Sequence, residues 1–315
     1  MSLPSCYLGV DVSAQTLVVA GAGRRWQFAN TPQGHRKFIV QIKKLSSPAH
    51  VVCESTGAYH LRLCLALQEA GLAVTIANAA RIHYFGLSEG VIAKNDPIDA
   101  ELIERFANVK RLPADPPLCR EQLALSESVT HRQQLVEMIK VLRTYRQQVL
   151  AVALVTEVDR SIAVLEKRLE VLDRQLRAQI DAQPLWKAKF ALLTSAKGVG
   201  FVTALSLLAK MPELGSLNRG QCAALGGLAP YDEDSGQHQG KRSIRGGRHE
   251  VRTALYMAAL AAARSNPILK TFYQRLLAQK KPAKVALTAV MRKLLIHLNT
   301  LLKTITPPSP TTITS

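Results

Sequence analysis

Apolar residues come in short runs over the first third of the chain and at helical spacing thereafter. Cys6 to Val12 and Thr16 to Ala22 are apolar runs that predict strands, with a third from Trp26 to Asn30. Thr31-Pro32 then predicts a cap and first turn, opening a helix that carries Phe38, Ile39, Ile42 and Leu45. His50 to Cys53 predicts a short strand leading into Glu54-Ser55-Thr56-Gly57. Leu61 to Ala70 reads as a helix closed by Gly71, and Ala73 to Ala77 as another strand. Helical stretches follow around Tyr84 to Ile92 and from Pro97 to Val109. The order β-β-β-α-β-α-β-α implies a mixed sheet with helices on its faces. The proline-containing segment Leu112-Pro113-Ala114-Asp115-Pro116-Pro117 marks a boundary, which delimits a first unit of residues 1–115.

A second unit, residues 116–185, has coiled-coil spacing. Leu135, Met138, Leu142, Tyr145, Val149 and Val152 are separated by 3, 4, 3, 4 and 3 residues. After an interruption near Val158, Ile162, Leu165, Leu169, Leu172 and Leu176 resume the seam. Such a seam fits an intramolecular hairpin or packing between subunits, and the scarcity of other apolar surface in this unit favours the latter. The third unit, 186–305, is helical with one long polar interruption. In it, Lys197-Gly198-Val199-Gly200 resembles a helix-hairpin-helix turn, whose backbone N–H groups approach phosphate. The Pro/Thr/Ser-rich tail 306–315 is expected to be disordered. The fold class is therefore α/β followed by all-α.

Charge sharpens this division. Lys and Arg number 41 against 23 Asp and Glu, and residues 186–315 alone hold 19 basic and 5 acidic side chains. A field so concentrated attracts polyanions, phosphate backbones above all. The basic residues do not form one simple amphipathic helix, which argues against a membrane surface. No apolar run approaches the roughly 20 residues that cross a bilayer. The first ten residues lack a basic segment before a long apolar stretch, so no signal peptide is expected. Five scattered cysteines offer neither a disulfide framework nor a zinc spacing and suit a reducing cytoplasm.

Four carboxylates stand out. Asp11 ends the first apolar strand and Glu54 follows the run Val51-Val52-Cys53. Asp96 and Asp99, three residues apart at a helix start, lie on one face. Capping and the helix dipole would account for the aspartate pair, but not for acids at two strand ends. Three elements could thus converge four hard oxygen ligands at one sheet edge, a set that suits Mg²⁺ or Mn²⁺ rather than zinc.

Tyr7-Leu8-Gly9-Val10-Asp11, Glu54-Ser55-Thr56-Gly57-Ala58-Tyr59 and Lys94-Asn95-Asp96-Pro97-Ile98-Asp99-Ala100 resemble the three acidic motifs of one transposase family. These are the DEDD transposases of the bridge-RNA-guided insertion sequences (the one-ten type), relatives of the pilin-gene invertases. Leu225-Gly226-Gly227-Leu228-Ala229-Pro230, Ser235-Gly236, Arg245-Gly246-Gly247-Arg248 and Val251-Arg252 are similar to that family's C-terminal signature. The chain departs from the family pattern at His249-Glu250, where Asn commonly follows the glycine. The resemblance implies a RuvC-like, RNase H-type N-terminal domain, a coiled coil and a C-terminal transposase domain. It also implies that Ser235 is the nucleophile that attacks DNA. Lys241, Arg242, Arg245, Arg248 and Arg252, with Lys94, Lys197, Gly198 and Gly200, are the expected nucleic-acid contacts. Ser243, eight residues beyond Ser235, is the rival nucleophile.

The resulting expectation is a cytoplasmic DNA recombinase that forms a transient phosphoserine link. Metal held by Asp11, Glu54, Asp96 and Asp99 would aid it, brought to the serine only in the assembled protein. Its partners would be donor and target DNA, a structured non-coding bridge RNA that supplies sequence choice, and further copies of the chain as a dimer or tetramer. Two other readings compete. A RuvC-like junction resolvase or nuclease would need the carboxylates but not Ser235, and an architectural nucleic-acid-binding protein would need neither.

Overall fold

In a computed structural model of the chain, residues 6–55, 57–90, 96–231 and 242–305 are described, with only the backbone of residues 96 and 97. Contacts divide the chain into two compact units, Met1–Cys119 and Arg120–Ser315.

In the first unit, β1 (Cys6–Val12), β2 (Thr16–Gly21), β3 (Arg24–Ala29), β4 (Ala49–Glu54) and β5 (Ala73–Ala77) form one sheet in the order β3-β2-β1-β4-β5. β2 is antiparallel to β1 and β3, whereas β4 is parallel to β1 and β5. That order and those directions are those of an RNase H-like sheet, as the resemblance implied. Period-2 alternation sorts each strand between two cores. Leu8, Val10, Val51 and Cys53 join Phe38 and Ile42 of α1 (Pro32–Lys43) and Leu63 and Leu67 of α2 (Tyr59–Glu69) on one face. Tyr7 and Val52 join Ile82 of α3 (Ala79–Ser88) and Ile103 and Phe106 of α4 (Asp96–Lys110) on the other. Thr31 caps α1, its side chain accepting from the Gly34 N–H, with Pro32 in the first turn. The helix expected around Tyr84–Ile92 instead starts at Ala79, because Asn78 caps it through the amides of Ala80 and Arg81. The boundary segment runs beside β5: the Asp115 N–H donates to the Val74 carbonyl at 2.8 Å, and its carboxylate accepts from the Ile76 N–H at 2.7 Å.

In the second unit, α5 (Arg120–Arg146) and α6 (Val152–Asp181) pack antiparallel within one chain. Arg132 pairs with Asp173, Arg143 with Glu166 and Arg146 with Asp159, a series whose partners run in opposite directions. The register turns Ile139, Val158 and Ile162 inward and leaves Met138, Tyr145 and Val152 of the expected seam exposed. Part of the seam thus closes within the chain, between α5 and α6. Leu125, Val129, Leu176 and Ile180, at the other end of the hairpin, bury against Trp186 of α7 (Pro184–Ser195) and Leu205 and Leu208 of α8 (Phe201–Lys210).

α9 (Arg219–Leu225), α10 (His249–Ser265), α11 (Pro267–Ala278) and α12 (Ala283–Leu302) complete the unit, with a two-stranded ladder of β6 (Pro230–Tyr231) and β7 (Ser243–Ile244). α12 meets the length and hydropathy of a membrane span, contrary to the expectation from apolar runs. Its apolar stripe, including Val290, Leu294, Leu295 and Leu298, is buried in the same core as Leu255, Ala259 and Ala262 of α10, so it serves as a core helix. The tail 306–315 lies outside the described residues.

Candidate functional site

Gly9 sets the geometry of the carboxylates. A side chain there would overlap the Ala100 carbonyl and the Glu104 amide, so α4 crosses β1 backbone to backbone. Tyr7, two residues earlier on the same face, donates its hydroxyl to the Leu112 carbonyl at 3.0 Å, just beyond the C-terminal end of α4. The helix thus runs opposite to β1, and its first turn reaches the end of the strand where Asp11 stands. Asp11 shares the face of Gly9, and Glu54 shares the face of Val52. Since Val10 pairs with Cys53, Asp11 and Glu54 are the next residues on adjacent parallel strands. Asp11, Glu54 and Asp99 are all partly buried.

These three carboxylates therefore occupy one end of one sheet face. Among the described residues, no three His, Cys, Asp or Glu side chains stand close enough to form a metal cage. The carboxylates share a location, not a closed coordination sphere. Asp96 begins α4, but its side chain lies outside the described residues. The donor chemistry fits a hard cation: oxygen ligands only, with no histidine or thiol among the residues singled out. Glu104, farther along α4, was missed by sequence reasoning. Burial, and then the nearby Glu101, raises its carboxyl above the ordinary range.

In the second unit the glycine-rich signature is a backbone crossing. A side chain on Gly247 would overlap the Gly227 backbone and come within 2.6 Å of the Ala224 carbonyl. A side chain on Gly227 would lie 2.6 Å from the Gly246 carbonyl and overlap the guanidinium of Arg252. Gly227, Gly246 and Gly247 have φ of 65°, 64° and 68°, the left-handed region that favours glycine. Arg252 donates to the Gly246 carbonyl at 3.0 Å and to that of Gly227 at 3.4 Å. The ladder pairs Pro230 with Ile244 and Tyr231 with Ser243. The chain between Tyr231 and Arg242 thus leaves and re-enters at one braced base. Ser235 and Lys241 belong to that stretch and, like Lys94, lie outside the described residues.

Several expected phosphate contacts have other partners. Arg248 forms a bidentate pair with Glu213, at 2.7 and 2.6 Å, and donates to the Lys210 carbonyl at 2.8 Å. The pair raises the Arg248 pKa; burial pushes Glu213 up, but Arg248 overrides it and leaves the carboxyl below its usual range. Arg248 therefore ties the start of α10 to the end of α8. Glu213 was not visible as its partner, because 35 residues separate them. Gly198 has φ of 99° and abuts Ala262, 2.6 Å from where a side chain would begin, so helix packing explains that glycine. Lys197 and Gly200 are exposed at the start of α8, and Arg242 and Arg245 are exposed beside the ladder.

Comparison with known proteins agrees in both units. A transposase family model of the DEDD, IS110 type matches residues 8–154, and the "Transposase IS116/IS110/IS902 family" model matches residues 190–274. The pilin gene-inverting proteins of Moraxella bovis and Moraxella lacunata are 28% and 27% identical over 300 residues, covering 92% of this chain and 93% of each relative. An uncharacterised 43.6 kDa protein of insertion element IS110 from Streptomyces coelicolor is 30% identical over 135 residues, 42% of this chain and 32% of that protein. Among solved structures, T. thermophilus RuvC in complex with a Holliday junction substrate covers 35% of this chain and 98% of its own, at 12% identity and a TM-score of 0.28. With one family model over the acidic motifs, another over the glycine crossing, and full-length relatives spanning both, the chain belongs to the IS110 family of transposases, enzymes related to the pilin gene-inverting proteins.

Proposed function

We propose that this transposase cleaves and rejoins DNA through a covalent link to Ser235, guided by a structured non-coding RNA. The observation that carries the catalytic half is the gathering of Asp11, Glu54 and the first turn of α4 at one end of one sheet face. Asp11, Glu54 and Asp99, with Asp96, would hold Mg²⁺ or Mn²⁺, which when bound polarises a phosphodiester. Ser235 then forms an Oγ–P bond as the P–O bond to one sugar breaks; the serine gives up a proton and the departing sugar oxygen takes one up. Phosphodiester energy is retained in the link, so rejoining by another strand's hydroxyl needs no nucleotide. The braced base at Gly227, Gly247 and Arg252 supports this reading by holding both ends of the serine's segment in one place. Exposed Arg242 and Arg245 beside it provide phosphate contacts.

Family resemblance supports the RNA guide, and the basic C-terminal third is compatible with it. Exposed Met138, Val141 and Tyr145 on the α5–α6 hairpin support assembly of further copies as a dimer or tetramer. A cytoplasmic location follows from the same reading.

The same carboxylates would serve a nuclease that activates water, so the decisive experiment concerns the serine. Protein is trapped on labelled DNA with its cognate RNA and Mg²⁺, then run on a denaturing gel. Wild type should give a protein–DNA band mapping to Ser235 by mass spectrometry, Ser235→Ala should lose it, and Ser243→Ala should keep it. Efficient cleavage by Ser235→Ala, or an adduct on Ser243, would overturn the assignment.

A further inference from the structure

After Glu250 the chain carries no acidic residue through its last 65 positions, yet it has ten basic ones. This differs in kind from the α5–α6 hairpin, where Arg132, Arg143 and Arg146 each face a carboxylate. On α11 and α12 no carboxylate of the same segment is present to answer the cations, and their field projects outward.

The turn between these helices presents three of the cations. Lys280 donates its backbone N–H to the Leu277 carbonyl at 2.8 Å, and Lys281 donates to that of Leu276 at 3.1 Å. The turn closes with Lys280 at φ 58°, and Lys280, Lys281 and Lys284 are all exposed. Farther along, half-buried Phe272 sits between two helices' cations: the Arg275 guanidinium lies 5.3 Å and the Lys293 ammonium 4.6 Å from its ring centre. Such contacts hold the charged groups in place without neutralising them. Lys270, also exposed, precedes Phe272 by two residues.

The kind of nucleic acid follows from what the surface lacks. Single strands are gripped by exposed aromatic rings on which bases stack. Here Phe272 is half-buried with cations over its ring, and Tyr273 is half-buried as well. Lysines on a helical corner supply point charges to phosphates and read no base edges. We propose that the α11–α12 corner, through Lys270, Lys280, Lys281 and Lys284, contacts the phosphate backbone of duplex DNA. This rests on the reading of the chain as a DNA recombinase and adds a second contact surface built from residues other than those of the glycine loop.

The test compares two full-length triple variants with the same change of charge. K270Q/K281Q/K284Q neutralises the corner. K140Q/K167Q/K187Q neutralises lysines of the hairpin and its flank, two of which already face Glu137 and Asp181. Binding to duplex DNA, single-stranded DNA and duplex RNA of one length is measured against salt concentration, with thermal melting to verify folding. For duplex DNA, the slope of log K against log salt should shrink by about 2–3 in the corner variant, at about 0.9 per phosphate contact, and stay at the wild-type value in the control. The single variant K281Q should shrink it by about 1, which keeps the test intact if the triple variant melts early. An unchanged slope in the corner variants, equal losses in both triple variants, or a loss confined to RNA or single strands would each overturn the proposal. S235A should keep the full slope while losing the covalent adduct, so failure of the nucleophile assignment and failure of the surface are read separately.

Discussion

Gly9 of β1 and Ala100 of α4 touch backbone to backbone, and no side chain larger than hydrogen fits between them. This contact seats the first turn of α4 beside the strand ends that carry Asp11 and Glu54. Gly9→Ala should therefore push the helix off the sheet. Overpacking of this kind costs about 1–3 kcal/mol, and strand cleavage should fall with it. Thermal denaturation and a cleavage assay on one preparation check both effects; an unchanged melting temperature would show that α4 yields without cost.

Asp11→Asn and Asp99→Asn keep size and shape while removing the negative charge. Cleavage should drop by more than about 100-fold, beyond the usual cost of losing a partner outside a metal's inner ligands. Melting temperature in the absence of divalent ions should change little, because both residues are partly buried at a sheet end rather than in the core. Cleavage at wild-type rates with Mg²⁺ would remove these residues from the metal site.

Arg248 and Arg245 should separate cleanly. Arg248→Ala breaks the bidentate pair to Glu213 and the bond to the Lys210 carbonyl, so the helical unit should lose stability. Both partners are about a third exposed, which limits the loss to about 1 kcal/mol, or a few degrees in melting temperature. Its salt dependence of DNA binding should stay as in wild type. Arg245→Ala should instead reduce the salt slope by about 1.

The first unit should weaken in mild acid. His50 is buried, 2% exposed, and bonded to the Thr75 hydroxyl at 2.8 Å; burial holds its pKa below the ordinary 6.5. His35, paired with the Asn30 side chain, is lowered by burial and then by Arg62. A lowered histidine takes up its proton in the unfolded chain first, so stability is complete above pH 6.5 and falls as pH drops through 6.5 toward the folded-state value. Burial raises the carboxyls of Asp115 and Glu104, and their effect has the opposite sign at lower pH. The difference between His50→Gln and wild type isolates the histidine: the variant should show a shallower decline between pH 7 and 5, roughly the window where histidine titrates. Equal slopes would assign the acid sensitivity elsewhere.

Most of the first unit is legible from short apolar runs, because β1 and β4 are buried on both faces and take apolar residues at nearly every position. Asp11 and Glu54 stood out because an acid ending an apolar strand gains nothing from a core. The place of Gly9 was less legible, since a glycine in a strand signals close approach without naming what approaches. Heptad spacing gave the helices of the hairpin but not its register, because the antiparallel pairing at Arg132–Asp173 and Arg146–Asp159 turns Ile139 inward and leaves Met138 and Tyr145 outside. The pairing of Arg248 is illegible for a related reason. A basic residue in a glycine-rich loop suggests phosphate, and only the fold reveals the glutamate it meets.

The crossing of Gly227 and Gly247 has an evolutionary consequence. Because the two backbones meet directly and Arg252 bridges the Gly227 and Gly246 carbonyls, the spacing of α9 and α10 is fixed at this contact. A lineage that replaces either glycine must therefore shift one backbone against the other.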